Sequence, residues 1–421
     1  MRNTSVWQRL LGLPRTVVER AVFDDEEGAV IVTVRARRGS KGRCGRCAKR
    51  AGWYDRGEGR RRWRALDVGE VRCYLEADAP RVNCPAHGPT VLAVPWARHG
   101  AGHTLAFDAQ VAWLATHTSK SAVGALMRIA WRTVGAIITR VVADGRAAAD
   151  PFAGLRRIGI DEISYKRGHR YLMVVVDHDS GRLVWAAPGH DKATLAEFFD
   201  QLGAPRCAEI RLVSADAMPW IGDMVAERCG NATLCLDAYH VVAWATTALD
   251  VVRRDVWNHA RRAGMAGHAA ELKGCRYALW KNPEDLTARQ GAKLAWIAAT
   301  NTQLYRAYLL KEQLRAVFKI KGVRALVLLD AWLGWAARSR IPAFVALGRR
   351  IRHNRAGIEA ALVHDLSNAL VESTNTKIRL LTRMAFGFRS PEALVALALL
   401  DRGGYCPPLP GRSSPTLATL R

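Results

Sequence analysis

The chain has 421 residues, 49% of them hydrophobic and 24% charged, with 63 Lys and Arg against 38 Asp and Glu for a formal net charge of +25. That length holds two or three full-sized cores, and the apolar content excludes a disordered or low-complexity protein. The positive surplus recurs in every segment, which favours a polyanionic partner over one basic tail on a neutral enzyme. Met1 to Pro14 has no sustained apolar run of the signal-peptide kind, and stretches such as Leu394–Leu400 are too short to span a bilayer. The nine cysteines, an odd number, argue against a disulfide framework and for a reducing cytoplasm.

In chain order, Ala29–Val34 reads as a strand in a β-rich start. Residues 40–100 are rich in Cys, Gly, Arg and Pro and have little material for a core, so a metal would help them fold. Cys44-x-x-Cys47 and Cys84-x-x-His87 supply four ligands at spacings that suit tetrahedral structural zinc. The segment between the pairs is expected to form a hairpin, with Cys73 in a core. Residues 1–100 therefore read as an N-terminal β-rich zinc-binding module.

Residues 101–150 read as three helices, Phe107–Thr116, Ser121–Ile129 and Val134–Ala143, with a break at Ala130–Thr133. A tight joint before the last helix suggests a helix-turn-helix that binds DNA; a plain three-helix connector is the competing reading. Arg128, Arg132, Thr133 and Arg140 are the candidate DNA contacts.

After Pro151 the pattern turns to strands: Leu155–Ile160, Tyr171–Val176, Leu183–Ala187, Ile210–Val213 and Thr233–Leu236, with helices at Ala193–Leu202 and after Pro219. Residues 241–365 are almost wholly helical, 366–402 hold one or two more helices, and 403–421 form an irregular tail. The fold class expected is multidomain α+β. A zinc-ribbon-like module and a helix-turn-helix would precede a ribonuclease H-like α/β catalytic core (151–240), which a helical insertion separates from a closing helix (366–402).

Asp161 is expected at the end of its strand and Asp216 at the end of another. If those strands are neighbours, both acids project from one edge of the sheet. Asn368, Glu372, Asn375 and Arg379 fall on one face of a helix-like stretch, with Val371 and Ile378 elsewhere. That face would close the site from above the sheet. Carboxylates gathered in a basic protein suit two-metal phosphodiester chemistry, with Mg²⁺ or Mn²⁺ held by Asp161, Asp216 and Glu372 and Asp161 bridging. Each acid taken alone is more often a solvated charge.

Gly159-Ile160-Asp161-Glu162, Ser214-Ala215-Asp216-Ala217-Met218 and Asp237-Ala238-Tyr239-His240-Val241 resemble DDE transposases of bacterial insertion sequences. Leu366-Ser367-Asn368, Glu372, Asn375 and Lys377-Ile378 echo the C-terminal pattern of the ISL-three-type family, and the likeness covers roughly residues 40–402. The resemblance implies that Asp161, Asp216 and Glu372 are the metal-binding triad, that Asp237-x-x-His240 is a companion motif, and that Asn375 is accessory. Ala369 and Ser373 depart from the family's frequent glycines, and Trp220-Ile221 stands where a tyrosine is common.

The function implied is a transposase that binds the inverted repeats of an insertion sequence, cleaves DNA with a divalent metal and transfers the strand. A DNA-binding regulator of transposase descent and a ribonuclease H-like nuclease without strand transfer are the alternatives. Expected partners are double-stranded DNA, both element ends and target, and further copies of the chain as a dimer or higher assembly on DNA. No membrane is expected, and the place is the cytoplasm, at the nucleoid.

Overall fold

The computed structural model describes residues 3–40 and 42–412. Two compact units emerge: residues up to Ala149 together with those from Ala396 onward, and Asp150–Val395.

The first unit begins with a helix the strand-like pattern did not suggest, α1 (Asn3–Leu11), followed by β1 (Thr16–Asp24), β2 (Ala29–Ala36), β3 (Gly52–Asp55), β4 (Arg60–Arg64), β5 (Arg72–Asp78), β6 (Arg81–Cys84) and β7 (Gly88–Val91). Strand β5 alternates strictly, with Cys73, Leu75 and Ala77 turned inward against Val32, Val34, Trp63 and Trp96. Burial accordingly pushes the Cys73 thiol up to about 11. The hairpin expected between the cysteine pairs is β4–β5, but it joins β2 in the sheet β1-β2-β5-β4. The knuckles are instead framed by a separate antiparallel sheet, β3-β6-β7.

Helices α2 (Leu105–His117), α3 (Lys120–Met127) and α4 (Trp131–Ala148) follow. Thr104 and Ser119 cap α2 and α3 by accepting the N–H groups of Phe107 and Ala122. Arg128 ends α3 in the left-handed conformation, φ 54°, and α4 leaves at 103° to it. That is the sharp joint of a helix-turn-helix. The break lies at Arg128–Ala130, earlier than the pattern implied, so Trp131 to Thr133 already belong to α4. Among the described residues no single helix is long and apolar enough to cross a membrane.

In the second unit, β8 (Arg157–Lys166), β9 (Arg170–Asp177) and β10 (Leu183–Pro188) form an antiparallel meander. After α5 (Lys192–Leu202) and α6 (Ala204–Cys207), strand β11 (Leu212–Ala215) inserts beside β8. Helix α7 (Pro219–Arg228) then leads to β12 (Thr233–Leu236). The sheet order is β10-β9-β8-β11-β12, with β8, β11 and β12 mutually parallel. Ile158, Ile160, Val175 and Val213 meet Phe198 and Phe199 in its core.

Eight helices follow: α8 (Ala238–Arg262), α9 (Ala266–Gly274), α10 (Arg276–Trp280), α11 (Ala288–Thr300), α12 (Thr302–Lys319), α13 (Val323–Arg338), α14 (Pro342–His353) and α15 (Arg355–His364). Their shared core includes Leu249, Leu310, Trp332 and Phe344, and Trp332 Nε1 donates to Leu310 O at 2.8 Å. The chain ends through α16 (Ala369–Met384) and α17 (Pro391–Arg402), so 366–402 holds two helices. Residues 403–412 contain neither helix nor strand, and the rest of the expected tail lies outside the described residues.

Candidate catalytic and zinc sites

Parallel register brings the acids abreast. Ser214 on β11 pairs with Gly159 on β8, so Asp216 is level with Asp161. Ala215 pairs with Leu236 on β12, which sets Asp237 level with Asp216. Asp161 is not at a strand end: β8 runs on to Lys166, and Asp161 pairs with Val174 of β9. What ends near it is the pairing with β11, at Gly159. The carboxyl edge of parallel strands is where such sheets bind ligands, and three acids stand there.

Helix α16 lies over this edge, but not on the expected face. Its buried residues are Val371, Thr374, Asn375, Ile378 and Leu381, while Glu372 is exposed. Val371 and Ile378 thus share the inward stripe with the asparagines instead of lying elsewhere, because a helix resting on a sheet needs apolar anchors between its polar contacts. Gly159 makes the close approach possible. A Cβ there would sit 2.3 Å from Val371 Cγ2 and 2.8 Å from His178 Nε2.

Asn375 Nδ2 donates to Asp161 Oδ2 at 2.8 Å, and the other oxygen, Oδ1, accepts the Glu162 N–H at 2.8 Å. Burial, and then the charge of Asp216, push the Asp161 carboxyl up to about 7. Glu162 and Glu372 are also raised, each first by burial; Asp216 adds to the first, Asp237 and then Asp216 to the second.

His240, in the first turn of α8, sits between two acids. Its Nδ1 lies 2.8 Å from Asp216 Oδ1 and 2.9 Å from Asp237 Oδ2. Asp216 first and then Asp237 hold its proton, up to about 10, so the imidazole is a cation at neutral pH. One N–H cannot align with both acceptors. It satisfies Asp237, leaving Asp216 Oδ1 buried with a charge contact but no aligned hydrogen bond. Asn375 Oδ1 and Asn368 Nδ2 are likewise buried without a partner. Ligand atoms of Asp216, Asp237 and His240 all lie within 4.8 Å of one another, a tighter group than the three acids singled out from sequence.

Sequence reasoning passed over Glu162, although it adjoins Asp161, and over Ser214 and His178, whose hydrogen bond beneath the edge spans 2.7 Å. A polar residue on an otherwise apolar strand was the available signal for Ser214.

In the first unit, the sulfurs of Cys44, Cys47 and Cys84 and a His87 nitrogen lie within 4.8 Å of one another. Cys47–Cys84 is 3.7 Å, and His87 Nδ1 is 3.6 Å from both Cys44 and Cys84. A tetrahedron with metal–sulfur bonds of about 2.3 Å has edges of roughly this length, so the four residues fit zinc. Burial works to raise the Cys44 thiol, but the N–H groups of Cys47 and Arg46 and the neighbouring thiols bring it down to about 6. Thiolate character of that kind suits a metal ligand. Gly45 cannot be larger, since a Cβ would sit 2.4 Å from His99 Nδ1 and 2.5 Å from Val91 O.

The candidate DNA contacts divide. Arg132 is exposed and Thr133 half-buried in the first turn of α4, beside the exposed Trp131. Arg128 bonds the Asp67 carboxylate and Glu70 O. Arg140, with Arg98, neutralises the fully buried Asp108, at 3.2 Å and 3.0 Å. A buried carboxylate needs both cations, which turns Arg140 inward to a structural task. In the helical block, Arg253 is similarly buried and paired with Asp250 at 2.8 Å.

Residues 158–398 match a family model described as transposase, residues 92–142 the helix-turn-helix domain of transposase family ISL3, and residues 40–87 the zinc-finger of transposase IS204/IS1001/IS1096/IS1165. The chain belongs to the ISL3 family of transposases. A transposase for insertion sequence element IS1557 from Mycobacterium tuberculosis, found in two strains, is 62% identical over 98% of both chains. A transposase for insertion sequence element IS1001 from Bordetella parapertussis is 26% identical over 79% of this chain and 82% of its own. This ISL3 transposase therefore joins a zinc finger, a DNA-binding helix-turn-helix and a DDE transposase domain in one chain, and neither alternative raised from its sequence gains support.

Proposed function

We propose that this transposase binds the inverted repeats of its insertion sequence, cleaves DNA there in a metal-dependent reaction and transfers the strand to target DNA, with Asp161, Asp216 and Glu372 as the catalytic triad. The carrying observation is the row of acids formed by Asp161 on β8 with Asp216 and Asp237 just past the ends of β11 and β12, with Asp216 Oδ1 buried and lacking an aligned hydrogen bond. An oxygen in that condition, near Asp161, Glu162 and Glu372 with their raised proton affinity, suits a hard divalent cation. Magnesium or manganese held by the triad would activate the attacking oxygen and stabilise the leaving one. The chain's own residues do the rest. Asn375 orients Asp161, and the His240 imidazolium offsets the repulsion between Asp216 and Asp237 while holding both.

The fold reading is a ribonuclease H-like core in which residues 241–365 are a helical insertion ahead of α16. An antiparallel trio continued by two parallel strands, with one acid on β8 and another just past the end of the adjacent β11, supports it. The domain limits follow: zinc module to residue 100, helix-turn-helix to 150, core 151–240, insertion, closing segment 366–402 and tail. Cys44, Cys47, Cys84 and His87 hold a structural zinc, and Arg132 and Thr133 open the helix that meets DNA. Two element ends must be held together, which requires at least a dimer on DNA.

The test incubates the purified protein and an Asp161→Ala variant with DNA carrying its inverted repeats, with and without Mg²⁺ or Mn²⁺. The parent should cleave and join only with metal. The variant should bind equally well but react on the order of 10³-fold more slowly, the scale of losing a metal's charge stabilisation. Specific binding without cleavage under either metal would sink the enzyme reading, and cleavage without joined product would leave a nuclease.

A further inference from the structure

Asn368 occupies the N-cap of α16, where asparagine ordinarily turns its side chain onto the helix's free N–H groups. Here it makes no such bond. Only 1% exposed, it accepts the Ser214 hydroxyl proton at Oδ1 instead. Ser214 has a single proton and gives it to Asn368, so its oxygen accepts from His178 Nε2 at 2.7 Å. That arrangement places a proton on His178 Nε2. The Asn368 backbone completes the tie. Its N–H reaches Asp237 Oδ1 at 3.4 Å, and its carbonyl accepts the Glu372 N–H at 2.8 Å.

One buried residue therefore touches the strand that leads to Asp216, the carboxylate of Asp237 and the amide of Glu372. We propose that the chain His178–Ser214–Asn368 is a positioning latch, which fixes the start of α16 against β11 and so determines where Glu372 stands relative to Asp216. What the latch does for metal binding rests on the reading of Glu372 as a metal-binding acid; the tie between α16 and β11 does not. It explains why an asparagine gives up helix capping, since a self-capped α16 would form equally well without being registered to the sheet. It also gives Gly159 a second reason to lack a side chain, because a Cβ there would sit 3.0 Å from Ser214 Oγ as well as against Val371 and His178. The Glu372 side chain is exposed and makes no hydrogen bond among the described residues, so its place depends on its helix.

Two measurements on the full-length protein test this. The first is amide hydrogen exchange without metal. Ser214→Ala should raise exchange in the first turn of α16, Glu372 included, by about tenfold or more, while β8 and β9 keep their protection. Asn368→Asp, which keeps the acceptor oxygen, should stay within about threefold of the parent. The second is Mn²⁺ binding followed by electron paramagnetic resonance. Asn368→Ala and Glu372→Gln should each weaken binding, and the double variant should lose no more than the worse single one, as residues acting through one another do.

Exchange raised evenly through the unit would mean that the chain merely stabilises the fold, and additive losses of Mn²⁺ affinity would mean that it does not act through Glu372. Either result overturns the latch. A parent that binds no Mn²⁺, with first-turn exchange still responding to Ser214→Ala, would remove the metal reading and leave the latch standing.

Discussion

The zinc-type knuckle and the carboxylate edge are both candidate metal centres, yet they are built in opposite ways. The knuckle's ligands come from two short motifs framed by one small sheet, and their atoms already stand at near-tetrahedral spacing. The carboxylate edge draws on β8, β11, β12, α8 and α16, and internal partners occupy much of its donor capacity: Asn375 on Asp161, His240 on Asp216 and Asp237. A structural centre can be closed because nothing has to enter it. A centre that handles substrate, as proposed here, must keep free oxygens and yet hold like charges together beforehand, and His240 stands within 2.9 Å of both Asp216 and Asp237.

Removing metal should separate the two most sharply. Structural zinc contributes about 10–16 kcal/mol to the folding of small zinc-finger peptides. A chelator, or Cys44→Ser or Cys84→Ser, should therefore unfold the β3-β6-β7 region and strip zinc while the second unit keeps its melting transition. Unchanged zinc content in those variants would refute the ligand assignment. The same chelator should leave the carboxylate edge folded, because hydrogen bonds and packing hold it.

Gly159→Ala is a smaller perturbation aimed at the edge alone. The methyl would meet Val371 and His178, and overpacking of this kind costs about 1–3 kcal/mol. The second unit should melt earlier, with zinc content and DNA affinity untouched. An unchanged melt would show that α16 rests less tightly on β8 than described.

The mildest effect concerns protons. Asp161 titrates near 7 in the folded protein, above the usual carboxylate range. Between that value and about 4 the native state binds a proton that the unfolded chain does not. Without metal, the contribution of Asp161 to stability should therefore rise as pH falls through this window and level off below it. Mn²⁺ affinity should run the other way, weakening up to about tenfold per pH unit below 7, since the cation needs the ionised form. Asp161→Asn should flatten both profiles, and titrations between pH 5 and 8 read them directly.

The zinc quartet was legible in the sequence because each pair carries its own spacing, and the resemblance supplied the acids. Asp161 and Asp216 could be picked out by their place after apolar runs, but their levelling depends on the pairing of β8 with β11, which no local pattern encodes. The edge of the buried stripe on α16 was misjudged for a related reason. Helical spacing shows which residues share a face, not which face meets the sheet, and Val371 turned out to be an anchor. The pairing of Arg140 with Asp108, 32 positions earlier, was not legible either. Long-range charge pairs and the Ser214–Asn368 bond, 154 positions apart, are properties of the assembled chain.

The return of the chain to its first unit has a consequence for damaged copies. Residues from Ala396 onward cluster with the N-terminal part, where Tyr405 covers Gly145 of α4 and Cys406 Sγ lies 3.9 Å from Thr116 of α2. A premature stop just past residue 395 would keep every acid discussed above and still strip packing from the helix-turn-helix. Such a pseudogene would look catalytically whole on inspection of its motifs, and its defect would lie in finding the element's ends.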